Sequence, residues 1–398
     1  MDVRRRELHH KRIFLVLFLA LFVAMLGVGV IAPTMPLYAK TLGATGLGLG
    51  IIYSAFSISR MIVMPMTGKL SDRKGRKIFI TTGLLIYTLA SLGYIWSESI
   101  VQLVWIRFLH GVGSAMIVPI AAAVIGDISP EGREGSMMGT FNVALFLGFG
   151  AGPLLGGVVL DTLGMAEVFY LMGGLSCVSL LLIVLFMPEK KNHEKNQKRT
   201  VSPFRTIWHH DVFKGILIFR FSNAVVRGST TAFLPIFASR FAVSPSRIGL
   251  LVSLNILLTA VLQHFFGRLA DRMNRRFLVV VGSILTAIPL LLTPFAQNYF
   301  HLLVLGVCMG VGGGVAFPAA LALVTVVGRD HGMGNVMGYF NSAMSFGMIV
   351  GPVIAGWVMD LLGLSVVFLF GGLVGVVGSV LCAYYTMYNQ RVEANANV

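Results

Sequence analysis

Ten residues, Gly68 to Lys77, concentrate much of the ionic chemistry of this chain. The stretch GKLSDRKGRK sets five cations (Lys69, Arg73, Lys74, Arg76, Lys77) around one carboxylate, Asp72. It lies between two long apolar runs. Cations there fix which side of a bilayer a loop occupies. A carboxylate at such a boundary is stable facing a helix N-terminus, the positive end of its dipole. Gly68 would let two helices approach closely, and Gly75 would permit a tight reversal. A second stretch, GRLADRMNRR, repeats the pattern with Asp271, Arg272 and Arg275, and has Asn274 where the first has Gly75. Asp271 follows Asp72 by 199 residues, half of the 398-residue chain, so the sequence reads as a duplication.

A second set of reactive side chains sits inside the apolar runs. Arg60, Arg107, Arg220 and Arg227 all do so, and an arginine in a span is costly and usually functional. His110 lies one helical turn from Arg107, and histidine changes charge near neutral pH. Asn142 and Asn341 are polar residues at matching positions of the repeat. No Asp or Glu falls near the middle of any span; Asp127, Asp161 and Asp360 are at ends. These residues describe a neutral to positive cavity, suited to anionic or neutral lipophilic solutes rather than cationic dyes.

The elements that position them follow from composition. Apolar residues make up 56% and charged residues 12%, half the charge of a soluble domain. Twelve apolar runs, from 13–39 to 365–388, are long enough to cross a bilayer as helices. A polar segment, 188–211, separates two halves, 1–187 and 212–398. Of the 31 Lys and Arg, 24 fall on the side of the termini and central linker. Three (Lys40, Arg240, Arg247) fall opposite, and both termini are therefore expected in the cytoplasm. The basic balance, net +15, does not point to nucleic acid, because the cations lie in short loops between spans. Cys177, Cys308 and Cys382 are all inside apolar runs and read as packing residues. The first run reads as an uncleaved helix. No metal cluster, cofactor motif, ATP-binding lysine motif or hydrolytic set is recognisable, so an enzyme is not expected.

The repeat holds register over much of the chain. Gly148, Gly152, Pro153 and Gly157 match Gly347, Gly351, Pro352 and Gly356, and Asp161 matches Asp360. In GFGAGPLLGG, Gly148, Gly152 and Gly156 recur every four residues and form one smooth helix face for close packing. Pro153 removes one backbone donor. Two halves repeated in parallel suit a carrier in which one bundle rocks against the other.

These motifs resemble the major facilitator superfamily. GKLSDRKGRK is similar to its signature between helices 2 and 3, and GFGAGPLLGG resembles the motif of its drug/proton antiporter branch. RFLHGVGSA, Arg107 to Ala115, is similar to the branch's helix 4 pattern, with His110 in place of a glutamine. The resemblance implies an all-α membrane protein of two six-helix bundles and proton-coupled efflux of small lipophilic or amphiphilic compounds. It also implies that Asp72 caps the start of the eleventh apolar run, 335–360, and that Arg76 pairs with Asp127. The expected setting is the plasma (inner) membrane, the expected partners are lipid, a small-molecule substrate and protons, and the chain would work as a monomer. A carrier of an organic or phosphorylated anion, using the span arginines, and a flippase or non-transporting membrane protein are the alternative readings.

Overall fold

A computed structural model describes residues 2–130, 133–188 and 204–388. Every regular element among them is helical. The chain runs α1 (Asp2–Val30), α2 (Thr34–Thr41), α3 (Gly46–Lys74), α4 (Arg76–Ile95), α5 (Ile100–Ile128), α6 (Glu134–Thr162) and α7 (Met165–Phe186). It continues through a short α8 (Phe204–Trp208), then α9 (Asp211–Ser239), α10 (Pro245–Arg272) and α11 (Arg275–Leu292). Last come α12 (Tyr299–His331), α13 (Met333–Leu362) and α14 (Leu364–Ala383). Residues 189–203 of the expected linker lie outside the described residues.

Length and hydropathy qualify 11 of these segments as membrane spans, α1 and α2 forming one of them. The twelfth, α9, is as long at 29 residues, but Lys214, Arg220 and Arg227 lower its hydropathy. Large apolar side chains such as Leu89, Trp105, Leu109 and Phe300 are exposed on the helix exteriors, as lipid-facing positions require.

The helices cluster into two compact units. The first holds residues 1–43, 55–196 and 244–253; the second holds 44–54, 197–243 and 254–398. Each unit therefore includes the opening turns of one helix, α3 or α10, whose remainder belongs to the other. The first core is built around Leu17, Leu21, Tyr87, Ile117 and Phe141, the second around Phe213, Phe219, Ala316 and Phe340.

The duplication is visible in the backbone. Ser99 caps α5 by accepting the Gln102 amide, and Asn298, its repeat mate, caps α12 by accepting that of His301. Gly43 and Gly164 have φ of +80° and +126°; their mates Ala242 and Gly363 have +52° and +93°. A non-glycine residue at positive φ is uncommon, so at Ala242 the repeated chain path has prevailed over the residue's own preference. The GKLSDRKGRK copies differ instead. Gly75 turns the chain at φ +98°. Asn274 stays at φ −65° and its side chain accepts the Arg276 and Phe277 amides. Glycine makes one turn by conformation, asparagine the other by capping.

Two carboxylates join the repeats' helix ends. Asp360, at the end of α13, accepts the Gly46 amide at 2.6 Å and the Leu47 amide at 2.8 Å. Asp161, at the end of α6, accepts the Ser246 amide at 2.9 Å and also its hydroxyl. Ser246 is the repeat mate of Leu47. Each carboxylate faces the first turn of a helix, where unpaired amides and the dipole favour negative charge. One turn further in, Gly50 lies against the Pro352 carbonyl and Gly249 against the Pro153 carbonyl, so glycine and proline backbones touch in both copies.

Outside the spans, His210 precedes α9 with its ring edge-on to His331, centroids 5.9 Å apart. Burial pushes His210 below the usual histidine range, and the neighbouring His331 adds to this. Asp330 and Asp211 oppose the shift and Arg276 reinforces it.

Two predictions follow from these contacts. Asp360→Asn or Asp161→Asn removes a charge worth about 0.3–1 kcal/mol at a helix N-terminus. Each should lower the thermal unfolding midpoint in detergent by roughly 1–4 °C, with near-additive loss in the double variant. Unchanged midpoints in all three would show that the caps carry no stability. For His210 the folded state binds fewer protons than the unfolded chain, so its contribution is complete well above pH of about 6.5 and declines as pH falls below it. Between pH 7.5 and 5.5 the wild type should lose more thermal stability than His210→Gln; parallel losses would exclude the residue.

Candidate functional site

The ionic motif occupies the last turn of α3 and the start of α4. Arg76 lies 3.3 Å from Asp72, one turn back, and 2.5 Å from Asp127 near the end of α5. The two pairs are not equal. The Arg76 side chain is 14% exposed and Asp127 42%, while Asp72 is 64% exposed and well hydrated. Exposed pairs contribute little; the drier one contributes more. Lys77 donates to the Val184 carbonyl at 2.9 Å, tying α4 to α7. Arg76, Lys77 and Asp127 line a small crevice with Ile13, Val124, Ile128 and Met187. Arg73 is exposed. Among the described residues the close helix approach expected at Gly68 is absent: a methyl group there would meet no heavy atom within 4 Å, although the same turn of α3 packs on α5 through Thr67, which donates to the Ala115 carbonyl.

The second copy is built differently. Arg275 donates through Nε to the Ala270 carbonyl at 3.1 Å. Val326 stands at the repeat position of Asp127. Arg272 is exposed, and the Asp271 side chain lies outside the described residues.

The most enclosed polar group belongs to α4 and α5. These helices touch closely where Gly83 meets the Gly113 carbonyl, which brings tyrosines of α4 onto α5. Arg107 is 7% exposed and His110 is fully buried. The Arg107 side chain hydrogen-bonds Tyr94, and its guanidinium sits 5.9 Å from that ring. The Tyr94 hydroxyl lies 3.1 Å from His110 Nδ1. Arginine is donor only, so the Tyr94 oxygen accepts from Arg107 and its proton points to His110 Nδ1. That leaves the His110 proton on Nε2, which is buried and has no hydrogen-bond partner. The imidazole is held edge-on by Tyr87 at 4.4 Å and Phe56 at 5.4 Å. Tyr87 in turn hydrogen-bonds Ser114.

Protonating His110 at Nδ1 would make it a donor, and Tyr94 would have to turn its own proton elsewhere while still accepting from Arg107. The three groups therefore form a chain whose hydrogen-bond direction reports one proton. Tyr87 and Tyr94 were not among the residues singled out by sequence. Their spacing of seven, two helical turns, in an otherwise apolar helix is the signal that marks one polar face.

The other candidates are dispersed. Arg220 is caged in the second unit, 4.6 Å from the Phe340 ring centre and 5.0 Å from that of Phe317, and it reaches Met344 Sδ at 2.7 Å. That is cation–π packing among α9, α12 and α13. Arg227, near the middle of α9, is exposed, and Asn341 is half-buried. Asn142 is exposed on α6, beside buried Phe141. The α6 glycines pack on α1: Gly148 meets Phe22 and Met25, Gly152 meets Leu26 and Gly29, and Gly156 meets Val30. Gly157 faces Pro245 and Ser246 instead. Gly347 and Gly351 meet α9 at Phe221 and Val225.

In a double-mutant cycle read by thermal unfolding, Arg76→Gln with Asp127→Asn should show coupling of about 1 kcal/mol or more, and Arg76→Gln with Asp72→Asn less than about 0.5 kcal/mol. Equal coupling would mean that burial does not distinguish the pairs.

The sequence profile described as Major Facilitator Superfamily matches residues 17–241 and again residues 216–397. An uncharacterized MFS-type transporter of Methanocaldococcus jannaschii is 29% identical over 376 residues, covering 93% of this chain and 97% of that protein. A multi-drug resistance efflux pump PmrA homolog of Lactococcus lactis is 26% identical, covering 88% and 89%. The crystal structure of the nucleoside transporter NupG superposes with a TM-score of 0.80 at 12% identity, over 94% of this chain and all of that one.

Proposed function

The chain belongs to the Major Facilitator Superfamily of membrane transporters, and we propose that it exports small lipophilic or amphiphilic compounds in exchange for protons. In this reading residues 1–187 and 212–398 are the two rocking bundles, and 188–211 is the linker between them. Both termini face the cytoplasm, the chain resides in the plasma membrane, and one copy suffices.

The observation that carries the reading is the buried chain Arg107–Tyr94–His110. With no carboxylate in the middle of any span, a proton-driven carrier of this sequence needs another titrating group. His110 is enclosed, connected and of the right chemistry. Asp72, Arg76 and Asp127 would hold the cytoplasmic side, with Asp72 released from Arg76 to cap α13 when that side shuts. Efflux-pump relatives such as the Lactococcus lactis protein support the substrate class.

The test is His110→Gln, which keeps a hydrogen-bond partner for Tyr94 but cannot titrate. In proteoliposomes it should abolish uptake of a fluorescent amphiphile driven by a pH gradient, a loss of tenfold or more, while downhill counterflow persists. Undiminished gradient-driven transport would remove His110 from coupling.

A further inference from the structure

Arg60 sits at the midpoint of α3, fourteen residues from either end. Phe56 is one turn before it, and its ring packs on His110 at 5.4 Å. The same imidazole packs on Tyr87 at 4.4 Å and meets the Tyr94 hydroxyl, over whose ring Arg107 lies. Phe56 thus links the turn of α3 that carries Arg60 to the chain of Arg107, Tyr94 and His110.

The group holds two permanent positive charges and no negative one. The acidic residues nearest α3 to α5 in sequence, Asp72, Glu98 and Asp127, are all at helix ends. Asp72 is twelve residues along the helix from Arg60, about 18 Å. Among the described residues, Arg60 makes no ion pair, hydrogen bond or ring contact. It is half-buried rather than enclosed. A second unsatisfied group is close by: His110 Nε2, fully buried and without a partner.

Charge inside a span is tolerated when it is paired or serves a ligand. Arg60 can meet a carboxylate through two parallel N–H donors. Phe56, one turn away and half-buried, offers an aromatic face beside it.

We propose that Arg60 is the subsite for the carboxylate of an amphiphilic cargo whose apolar part lies against Phe56. The inference rests on the reading of the chain as a carrier of amphiphiles and names the charge of one class of them. Val28 and Gly306 stand at the repeat positions of Arg227 and Arg107, and Thr259 at that of Arg60. The subsite is therefore a feature of one repeat, not of the shared scaffold.

The probes are 2-naphthoate and 2-naphthamide, which differ in charge and little in shape. Binding to the full chain in nanodiscs is measured by calorimetry at pH 7.5, and counterflow of labelled naphthoate is measured separately in proteoliposomes. Wild type should bind the carboxylate at least tenfold more tightly than the amide. Arg60→Gln should erase that preference and leave amide affinity unchanged, and Arg60→Lys should restore part of it. Equal affinities in wild type, no naphthoate binding, or equal loss of both probes in Arg60→Gln would overturn the subsite. If Arg60→Gln does not fold, Arg60→Lys decides: weakened naphthoate with retained amide binding supports the subsite, and unchanged naphthoate binding overturns it. Naphthoate binding with no counterflow would leave the subsite standing and sink the carrier reading.

Discussion

Close contact between helix backbones is the constraint on which this structure depends. In hydrocarbon, apolar side chains gain little by leaving lipid for protein, so helix association relies on dispersion and on backbones that can come near one another. The chain meets this with glycine. Gly148, Gly152 and Gly156 lay α6 on α1, and Gly347 and Gly351 lay α13 on α9. Proline in the same helices adds a second surface, where the Pro153 and Pro352 carbonyls meet Gly249 and Gly50. Asp161 and Asp360 then finish each contact at a helix end with hydrogen bonds to a first-turn amide. Packing and capping act on the same pair of helices in both copies, so one duplicated design fixes the ends of α3 and α10.

What is duplicated is scaffold; what is not duplicated is chemistry. Caps, positive-φ turns, glycine contacts and end carboxylates recur at the 199-residue offset. The span arginines do not: the mates of Arg60, Arg107, Arg220 and Arg227 are Thr259, Gly306, Leu21 and Val28. The mate of His110 is Met309, and that of Asp127 is Val326. Thr259 donates to the Gly310 carbonyl at 3.1 Å, binding α10 to α12 with a neutral hydroxyl at the place where the first copy has a cation. A permanent charge in a span is expensive, and a duplicated gene could have kept each charge twice. Keeping it once places the Arg107–Tyr94–His110 chain on α4 and α5 alone and the caged Arg220 on α9 alone, which makes an otherwise equal pair of repeats chemically different.

The fold was largely legible in the sequence because bilayer thickness and the need to satisfy every backbone amide leave helices of one length class as the solution. Only α9 blurred the pattern, since its arginines lower hydropathy without shortening the helix. Site residues were legible where their chemistry contradicts their surroundings: Arg107 and His110 stand out in an apolar run. Tyr94, which joins them, did not, because tyrosine is common at membrane interfaces and its depth appears only when α4 is laid on α5. Asp161 and Asp360 were seen as end residues, but a cap on a helix more than eighty residues away leaves no local pattern. Gly68 misled in the opposite direction. A glycine at helix spacing suggests a close contact, and whether a neighbour is there depends on packing that no single segment encodes.

The charge of the cargo bears on the sign of coupling through this cluster. Coupling between two bound species is reciprocal: whatever one does to the affinity of the other is returned in equal measure. A carboxylate at the proposed Arg60 subsite would lower the positive potential at His110, so anion binding and imidazole protonation would favour one another, and for this cargo joint movement would replace exchange. Such a complex moves no net charge relative to the empty carrier, and so forgoes the roughly 2.3 kcal/mol per 100 mV that an anion moving alone would draw from the membrane potential. A neutral amphiphile lying against Phe56 has no charge to offer. By displacing water beside the Phe56 ring that packs on His110, it would disfavour the charged imidazole. Binding of one then disfavours the other, and exchange results. On this proposal the same side chains would support exchange for neutral cargo and joint movement for carboxylates, with the guanidinium of Arg60 as the group that tells the two apart.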